Sequence, residues 1–300
     1  MSKTVFIIVG PTAVGKTSFA IELAKQLDTE IISADARQCY AEMNIGVARP
    51  SVSELAEVPH HFIASHSIQD VVNASVFEKE ALEKVAKIFS SKEAVVMVGG
   101  TGLYIKAFCE GLDMIPAIDP AIRAEIILQY EKLGLRWLQK EVSVKDPTYW
   151  ENGEQQNPQR LMRALEVKLG TGSSIVSFQN KNKVNRPFNM VKIGLEMLRP
   201  ALYERINERV LNMVEAGLEQ EVKSLLPHFE LNALQTVGYS EWLPFFEGKI
   251  EKSRVVELIQ QNTRHYAKRQ LTWFRKDPEI HWYNIASPHP QEIIDQILRP

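Results

Sequence analysis

One stretch limits the chain's possible folds more than any other: Gly10-Pro11-Thr12-Ala13-Val14-Gly15-Lys16-Thr17. The apolar run Val5-Phe6-Ile7-Ile8-Val9 precedes it, and the helix-like segment Ser18-Phe19-Ala20-Ile21-Glu22-Leu23-Ala24-Lys25 follows it. The order is strand, glycine loop, helix, and the loop spacing is G-x-x-x-x-G-K-T. The two glycines let the backbone wrap so that several N–H groups point into one concavity, and the positive end of the helix adds to them. Lys16 contributes a full charge, and the Thr17 hydroxyl is placed to touch Mg2+. The bland alternative is an ordinary glycine-rich turn between a strand and a helix. The four fixed positions arise by chance in about one chain in a hundred of this length, and the strand–loop–helix context lowers that further. The motif specifies a phosphate chain; it does not specify ATP.

A chain of 300 residues, 45% hydrophobic and 24% charged, can bury a proper core and is long enough for two domains. Its formal net charge of −2 excludes a globally basic nucleic-acid binder but leaves room for a local patch. Cys39 and Cys109 offer neither a disulfide framework nor a metal-ligand spacing, and small packing roles in a reducing, cytoplasmic setting are expected for them. The first residues lack a basic region followed by a long apolar one, and no apolar run approaches the roughly 18 residues of a membrane span. No secretory signal and no membrane partner are therefore expected.

Further along, Glu30-Ile31-Ile32-Ser33-Ala34-Asp35 reads as a short second strand with Asp35 at its carboxyl end. Ligands of open parallel sheets sit beyond those ends, so Asp35 is expected near the phosphate loop. In Pro59-His60-His61-Phe62-Ile63 the adjacent histidines cannot both face one metal from a strand, and packed or hydrogen-bonded roles are expected. Val76 to Ser90 has the apolar spacing of an amphipathic helix. Ala94-Val95-Val96-Met97-Val98 is wholly apolar, as a buried parallel strand would be. It ends in Gly99-Gly100-Thr101, where a typical P-loop ATPase carries an Asp for Mg2+. Those glycines allow close approach of a ligand or simply make a tight turn.

Pro116 and Asp119-Pro120 mark a break in character. The expected fold is α/β: a P-loop NTPase-like core with a parallel sheet, built from 1–114 and 200–300, and a mainly helical insertion over 115–199. Within the insertion, Gln159 and Arg163 stand i,i+4 on one helix, and Gln179 to Lys192 is basic, with Lys181, Lys183, Arg186 and Lys192. Ala201 to Leu226 reads as one long helix with Arg205 and Arg209 sharing a face. Lys252 to Phe274 reads as another, and its last turns carry Arg264, Lys268 and Arg269 interleaved with His265, Tyr266, Trp273 and Phe274. That run is either a solvated face or a surface for a nucleic-acid backbone and stacked bases.

Taken together, these stretches resemble the tRNA dimethylallyltransferases, also called tRNA isopentenyltransferases. The likeness runs through GPTAVGKT at 10–17, DARQCY at 35–40, IGVARP at 45–50, PHHFI at 59–63, VGGTGLYIKA at 98–107, DPAIR at 119–123, NPQRLMRALEV at 157–167, LYERINERV at 202–210 and TRHYAKRQLTWF at 263–274, which is nearly the whole chain. Ala36 stands where the family usually has Ser, and Val47 and Arg49 stand for Thr and Lys.

The resemblance implies transfer of a dimethylallyl group from dimethylallyl diphosphate to N6 of adenosine at tRNA position 37. Gly10, Pro11, Thr12, Ala13, Val14, Gly15, Lys16 and Thr17 would cradle the diphosphate with Mg2+ at Thr17, and Arg209 would bind the same group, with Arg205 as a second candidate. Asp35 would be the catalytic base and Thr101 its companion at the amine. Asp35, Ala36, Arg37, Gln38, Thr101, Arg123, Gln159, Arg160, Leu161, Met162, Arg163, Gly238 and Tyr239 would meet the anticodon stem-loop, and Lys268 and Arg269 its phosphates. A cytoplasmic monomer is expected. Three other readings stay open: a small-molecule kinase, an RNA-binding protein that keeps the loop structurally, and a relative that prenylates free adenine nucleotides.

Overall fold

A computed structural model describes residues 3–179, 184–286 and 290–298. The chain divides into two compact units, residues 1–110 with 185–300 and residues 111–184. Lys181 and Lys183 of the basic run lie outside the described residues.

The first unit is a six-stranded parallel sheet with helices on both faces. Its elements in chain order are β1 (Thr4–Val9), α1 (Lys16–Gln26), β2 (Ile31–Ser33), α2 (Val52–Glu57), β3 (His60–His61), α3 (Ala74–Ile88), β4 (Ala94–Val98) and α4 (Gly102–Glu110). The second unit contributes α5 (Pro120–Lys145), α6 (Pro147–Asn152) and α7 (Pro158–Thr171). The first unit then resumes with β5 (Asn189–Glu196), α8 (Arg199–Glu215), α9 (Leu218–Leu225), α10 (Leu243–Phe246), α11 (Lys252–Phe274), β6 (Ile280–Asn284) and α12 (Pro290–Leu298).

The strand order is β3-β2-β4-β1-β5-β6, and every pairing is parallel. Because helices cover both faces, β1 from Val5 onward and β4 throughout are apolar rather than alternating. Phe6, Ile8, Val96 and Val98 join Phe19 and Leu23 of α1 and Ile206 of α8 in one core layer. Side chains alternate along a strand, so Ile7 and Met97 point to the opposite layer.

The helical unit ends at residue 184, earlier than the expected 199. The strand Asn189–Glu196 pairs with β1 over its length from Thr4↔Asn189 to Val9↔Gly194, which makes it part of the sheet. Two cations of the basic run are structural for this reason. Lys192 is 5% exposed on β5 and donates to Asp277 and Glu279, each at 2.7 Å. Arg186 donates to the carbonyls of Ala107 and Phe108 at the end of α4 and to Glu78. The expected single helix over 201–226 is two, because Gly217 adopts φ +102° between α8 and α9. His60 and His61 form the edge strand β3, with His60 Nδ1 donating to the Val58 carbonyl and His61 paired with Glu30. No helix among the described residues is long and apolar enough to cross a membrane.

Candidate active site

The loop after β1 is built as the glycine spacing requires. Gly10 has φ +147°, and a Cβ there would lie 2.4 Å from the Leu195 carbonyl oxygen on β5, so no side chain fits. Gly15 opens α1 with φ +105°, a left-handed conformation that favours glycine. Lys16 Nζ donates to the Pro11 carbonyl at 2.8 Å. On α8 the i,i+4 pair reaches the same loop: Arg205 Nη1 donates to Val14 O at 3.5 Å, and Arg209 Nη1 to Thr12 Oγ1 at 3.4 Å.

These three cations and Thr17 line a cleft of about 380 Å³. Burial, and then the Arg209 charge, push the Lys16 amine down to about 7, with Asp35 opposing them. Burial and Arg205 lower Arg209 as well. Like charges crowded into a half-buried site disfavour one another's charged form, and a polyanion relieves this.

Beyond β2 and β4 lies a second cleft of about 260 Å³, lined by Asp35, Ala36, Arg37, Thr101 and Gly238 with apolar Val210, Met213 and Ile259. The two strands are adjacent, so their ends bring Asp35 and Thr101 together. Asp35 Oδ1 accepts from the amides of Arg37 (2.9 Å) and Gln38 (3.2 Å). Thr101 Oγ1 accepts from the Ala36 amide at 3.0 Å. Tyr266 lines the same cleft, and burial, then the Asp35 charge, raise its pKa above the ordinary phenol value.

The IGVARP segment, residues 45–50, forms a wall of these clefts, and side chains hold both its amides at Ile45 and Gly46 and its carbonyls at Val47 and Ala48. Glu221 accepts from the amides of Asn44 (3.2 Å), Ile45 (2.8 Å) and Gly46 (3.0 Å). Gln38 Nε2 donates to the carbonyls of Val47 and Ala48, while its Oε1 takes the Ser33 hydroxyl. Gln38, half-buried at the edge of the cleft, thus ties the wall to the end of β2. Arg49, on the same segment, holds the carbonyls of Tyr40, Ala41 and Met43.

Tyr239 is a correction. It is 0% exposed, its hydroxyl donates to Glu221 at 2.6 Å, and a Cβ on Gly46 would meet its ring at 2.5 Å. It is a core residue beneath the wall. Its neighbour Gly238, with φ +95°, does line the second cleft.

Along α11 the buried stripe is Val255, Ile259, Ala267, Gln270 and Phe274, while Lys268 and Arg269 are exposed. The Arg269 guanidinium sits 5.7 Å from the Tyr266 ring centroid.

The helical unit has its own core. Ile126, Leu138, Val142, Leu161, Met162 and Leu165 pack together across α5 and α7. This corrects Leu161 and Met162, which are 0% and 3% exposed and cannot present themselves to RNA. Their helix neighbours form the polar face: Arg160 is exposed, Arg123 donates to Gln159 (2.9 Å) and Glu166 (3.3 Å), and Arg163 donates to Glu166 (2.8 Å). Asn157 caps α7 and Asp119 caps α5, as the Asn-Pro and Asp-Pro pairs prefigure.

Sequence reasoning missed Glu221 and Gln270 and read Tyr266 only as a stacking residue. Glu221 carries no local signal, since its partners are about 175 residues away. Gln270 and Tyr266 fall inside a basic run that pulled attention to its exposed face.

The model of the IPP transferase family matches residues 38–277. A tRNA dimethylallyltransferase of Christiangramia forsetii is 48% identical over 99% of this chain and 98% of its own length. One of Cytophaga hutchinsonii is 42% identical over 98% and 95%. The crystal structure of the tRNA isopentenylpyrophosphate transferase of Bacillus halodurans superposes with a TM-score of 0.73 at 34% identity, covering 99% of this chain and 96% of that one. The similarities to these relatives extend over nearly the full length of the chain, and the chain belongs to the IPP transferase family.

Proposed function

We propose that this protein transfers a dimethylallyl group from dimethylallyl diphosphate to N6 of the adenosine at position 37 of tRNA, releasing diphosphate. One observation carries this reading: Thr12, Asp35, Val47, Ala48, Arg209 and Tyr266 line both clefts. A diphosphate seated among the cations therefore has its reacting end where the second cleft begins, beside a carboxylate. The relatives' activity identifies the group carried and the acceptor.

In this reading the C1–O bond breaks with its electron pair leaving on the diphosphate. The N6 lone pair closes on C1, and the N6 proton passes to Asp35. Lys16, Arg205 and Arg209 stand where the leaving charge grows. A carboxylate is far too weak a base to deprotonate a neutral arylamine, so the proton moves with or after N–C bond formation. The two amides on Asp35 Oδ1 fix the carboxylate's orientation. Thr101 and Tyr266 supply hydroxyls to the base, which must leave the anticodon stack to reach them. Arg123, Gln159, Arg160 and Arg163, with Lys268 and Arg269, hold the RNA.

The residues present fit Mg2+. The Thr17 hydroxyl lines the diphosphate cleft, and no group of three or more His, Cys, Asp or Glu forms a cage among the described residues. Magnesium is ordinarily bound by few protein ligands together with substrate phosphates. When bound, it would neutralise diphosphate charge. A monomer acting in the cytoplasm, where its substrate would be met, completes this reading.

The test is a transfer assay with labelled dimethylallyl diphosphate and, separately, labelled ATP. The acceptors are tRNA, an anticodon stem-loop with adenosine at position 37, and free AMP. Label passing to tRNA and not to AMP is expected. Prenylated AMP would redirect the reading to nucleotide prenylation, and phosphate release from ATP without prenyl transfer would replace it with a kinase-type function.

A further inference from the structure

The side chain of Gln270 is 5% exposed, and both ends of its amide are bonded. Oε1 accepts from the Thr12 amide at 2.8 Å, and Nε2 donates to the Gly100 carbonyl at 3.0 Å. Thr12 belongs to the loop after β1 and Gly100 to the turn after β4, and these strands are parallel neighbours. One planar group therefore spans from the donor cradle to the turn that carries Thr101. One end must accept and the other must donate. Among residues of this length only glutamine offers both, since a carboxylate would face the Gly100 carbonyl with a second acceptor and an ammonium would face the Thr12 N–H with a donor. Glycine at 100 belongs to the same device: a Cβ there would lie 2.1 Å from Nε2.

We propose that Gln270 is a positioning residue, a strut that fixes the separation of the diphosphate cradle from the Thr101 turn and so sets the distance from C1 of the donor to N6 of the acceptor. The assignment rests on the prenyl-transfer reading above. Through Thr12 the strut also reaches Arg209, which donates to the Thr12 hydroxyl, and through Gly100 it reaches Thr101, whose hydroxyl takes the Ala36 amide. Each substrate still meets its own cleft when the strut is cut, so the loss falls on turnover rather than on binding. Misplacement of reacting groups by about 1 Å costs on the order of a hundredfold in rate.

The experiment compares wild type, Gln270→Leu, Gly100→Ala, the double variant and Gln270→Glu. Transfer to the stem-loop and thermal melting are measured in parallel. Gln270→Leu is expected to lower kcat by about tenfold or more, with KM for both substrates within about threefold. Gly100→Ala displaces the amide and is expected to reproduce that loss, and the double variant is expected to be no worse than Gln270→Leu, because both remove one interaction. In Gln270→Glu the new carboxyl donates to Gly100 only when protonated. Its kcat relative to wild type is expected to rise as pH falls from about 8.5 to about 6, since burial raises a carboxyl pKa.

A kcat ratio for Gln270→Glu that stays flat with pH overturns the strut, as does Gln270→Leu or Gly100→Ala with wild-type kcat. Should Gln270→Leu fail to fold, Gly100→Ala and the pH profile still decide. Wild type is run in the same assay: if it transfers nothing, the functional reading fails, whereas an active wild type with unaffected variants counts against the strut alone.

Discussion

Tyr239→Phe deletes one oxygen atom from the core and tests the wall that shapes both clefts. The ring is 0% exposed and stays packed on Gly46, so little buried area is lost. What is lost is the 2.6 Å bond to Glu221. Burial, then the Glu221 charge, hold the phenol well above its ordinary pKa, so it remains a donor at any working pH. A hydrogen bond to an ionised acceptor is worth about 1.5–3 kcal/mol. Glu221 keeps its three backbone amides, so no stranded charge adds to the cost. In a domain of this size each kcal/mol moves Tm by about 2–4 °C, which predicts a fall of about 3–12 °C. Denaturant and thermal melts read that fall, while tRNA KM measured below the melting range stays within about twofold of wild type. A stability change below about 0.5 kcal/mol together with a tenfold rise in tRNA KM would refute the reasoning, because the hydroxyl would then be serving RNA and not the wall.

Asp35→Asn retains an acceptor for the Arg37 and Gln38 amides, so the loop stays in place while turnover falls by about 10²–10⁴ and tRNA affinity holds; parallel losses in single-turnover rate and tRNA binding would remove Asp35 as the base. The Lys16 amine, pushed down to about 7 in the free protein, regains its proton beside a diphosphate. Above about pH 7 donor binding should therefore take up a proton and weaken by up to tenfold per pH unit, as calorimetry in two buffers without divalent cation would show, and Lys16→Gln should abolish the uptake. In stability the sign is opposite: the folded value lies below the ordinary 10.5, so the unfolded chain binds more protons between about pH 7 and 10.5 and this group's contribution to stability improves as pH rises through that window. Lys268→Ala with Arg269→Ala should lower tRNA affinity and flatten the logarithmic salt dependence by about one unit per lost phosphate contact, and an unchanged slope would leave the patch as a solvated face.

Local signals were legible wherever local geometry enforces them. The glycine loop needs glycines because β5 passes 2.4 Å from where a side chain would start and because α1 opens left-handed. Arg205 and Arg209 fall on one face of α8 because helix periodicity puts them there. The boundary of the helical insertion was less legible, because β5 begins with polar Asn189 and includes Lys192, whose charge is satisfied by Asp277 and Glu279 far along the chain. Leu161, Met162 and Tyr239 sit inside stretches that read as RNA-facing. Motif resemblance covers consecutive residues, but a helix or turn presents only some of them to a ligand.

By itself the sequence determined a phosphate loop at the end of a parallel strand, a carboxylate at the end of the next and two arginines on one helix face, because each depends on spacing within a few residues; that this face meets the loop was implied only by the family resemblance and is set by the tertiary structure. The tertiary structure decided which polar side chains act on the site from a distance. Glu221 holds the wall at 44–46, Gln270 joins the loops after β1 and β4, and Tyr239 turns inward. Those roles require donors and acceptors that are far apart in sequence to meet in a space with little water, and only the packed chain sets which of them face each other.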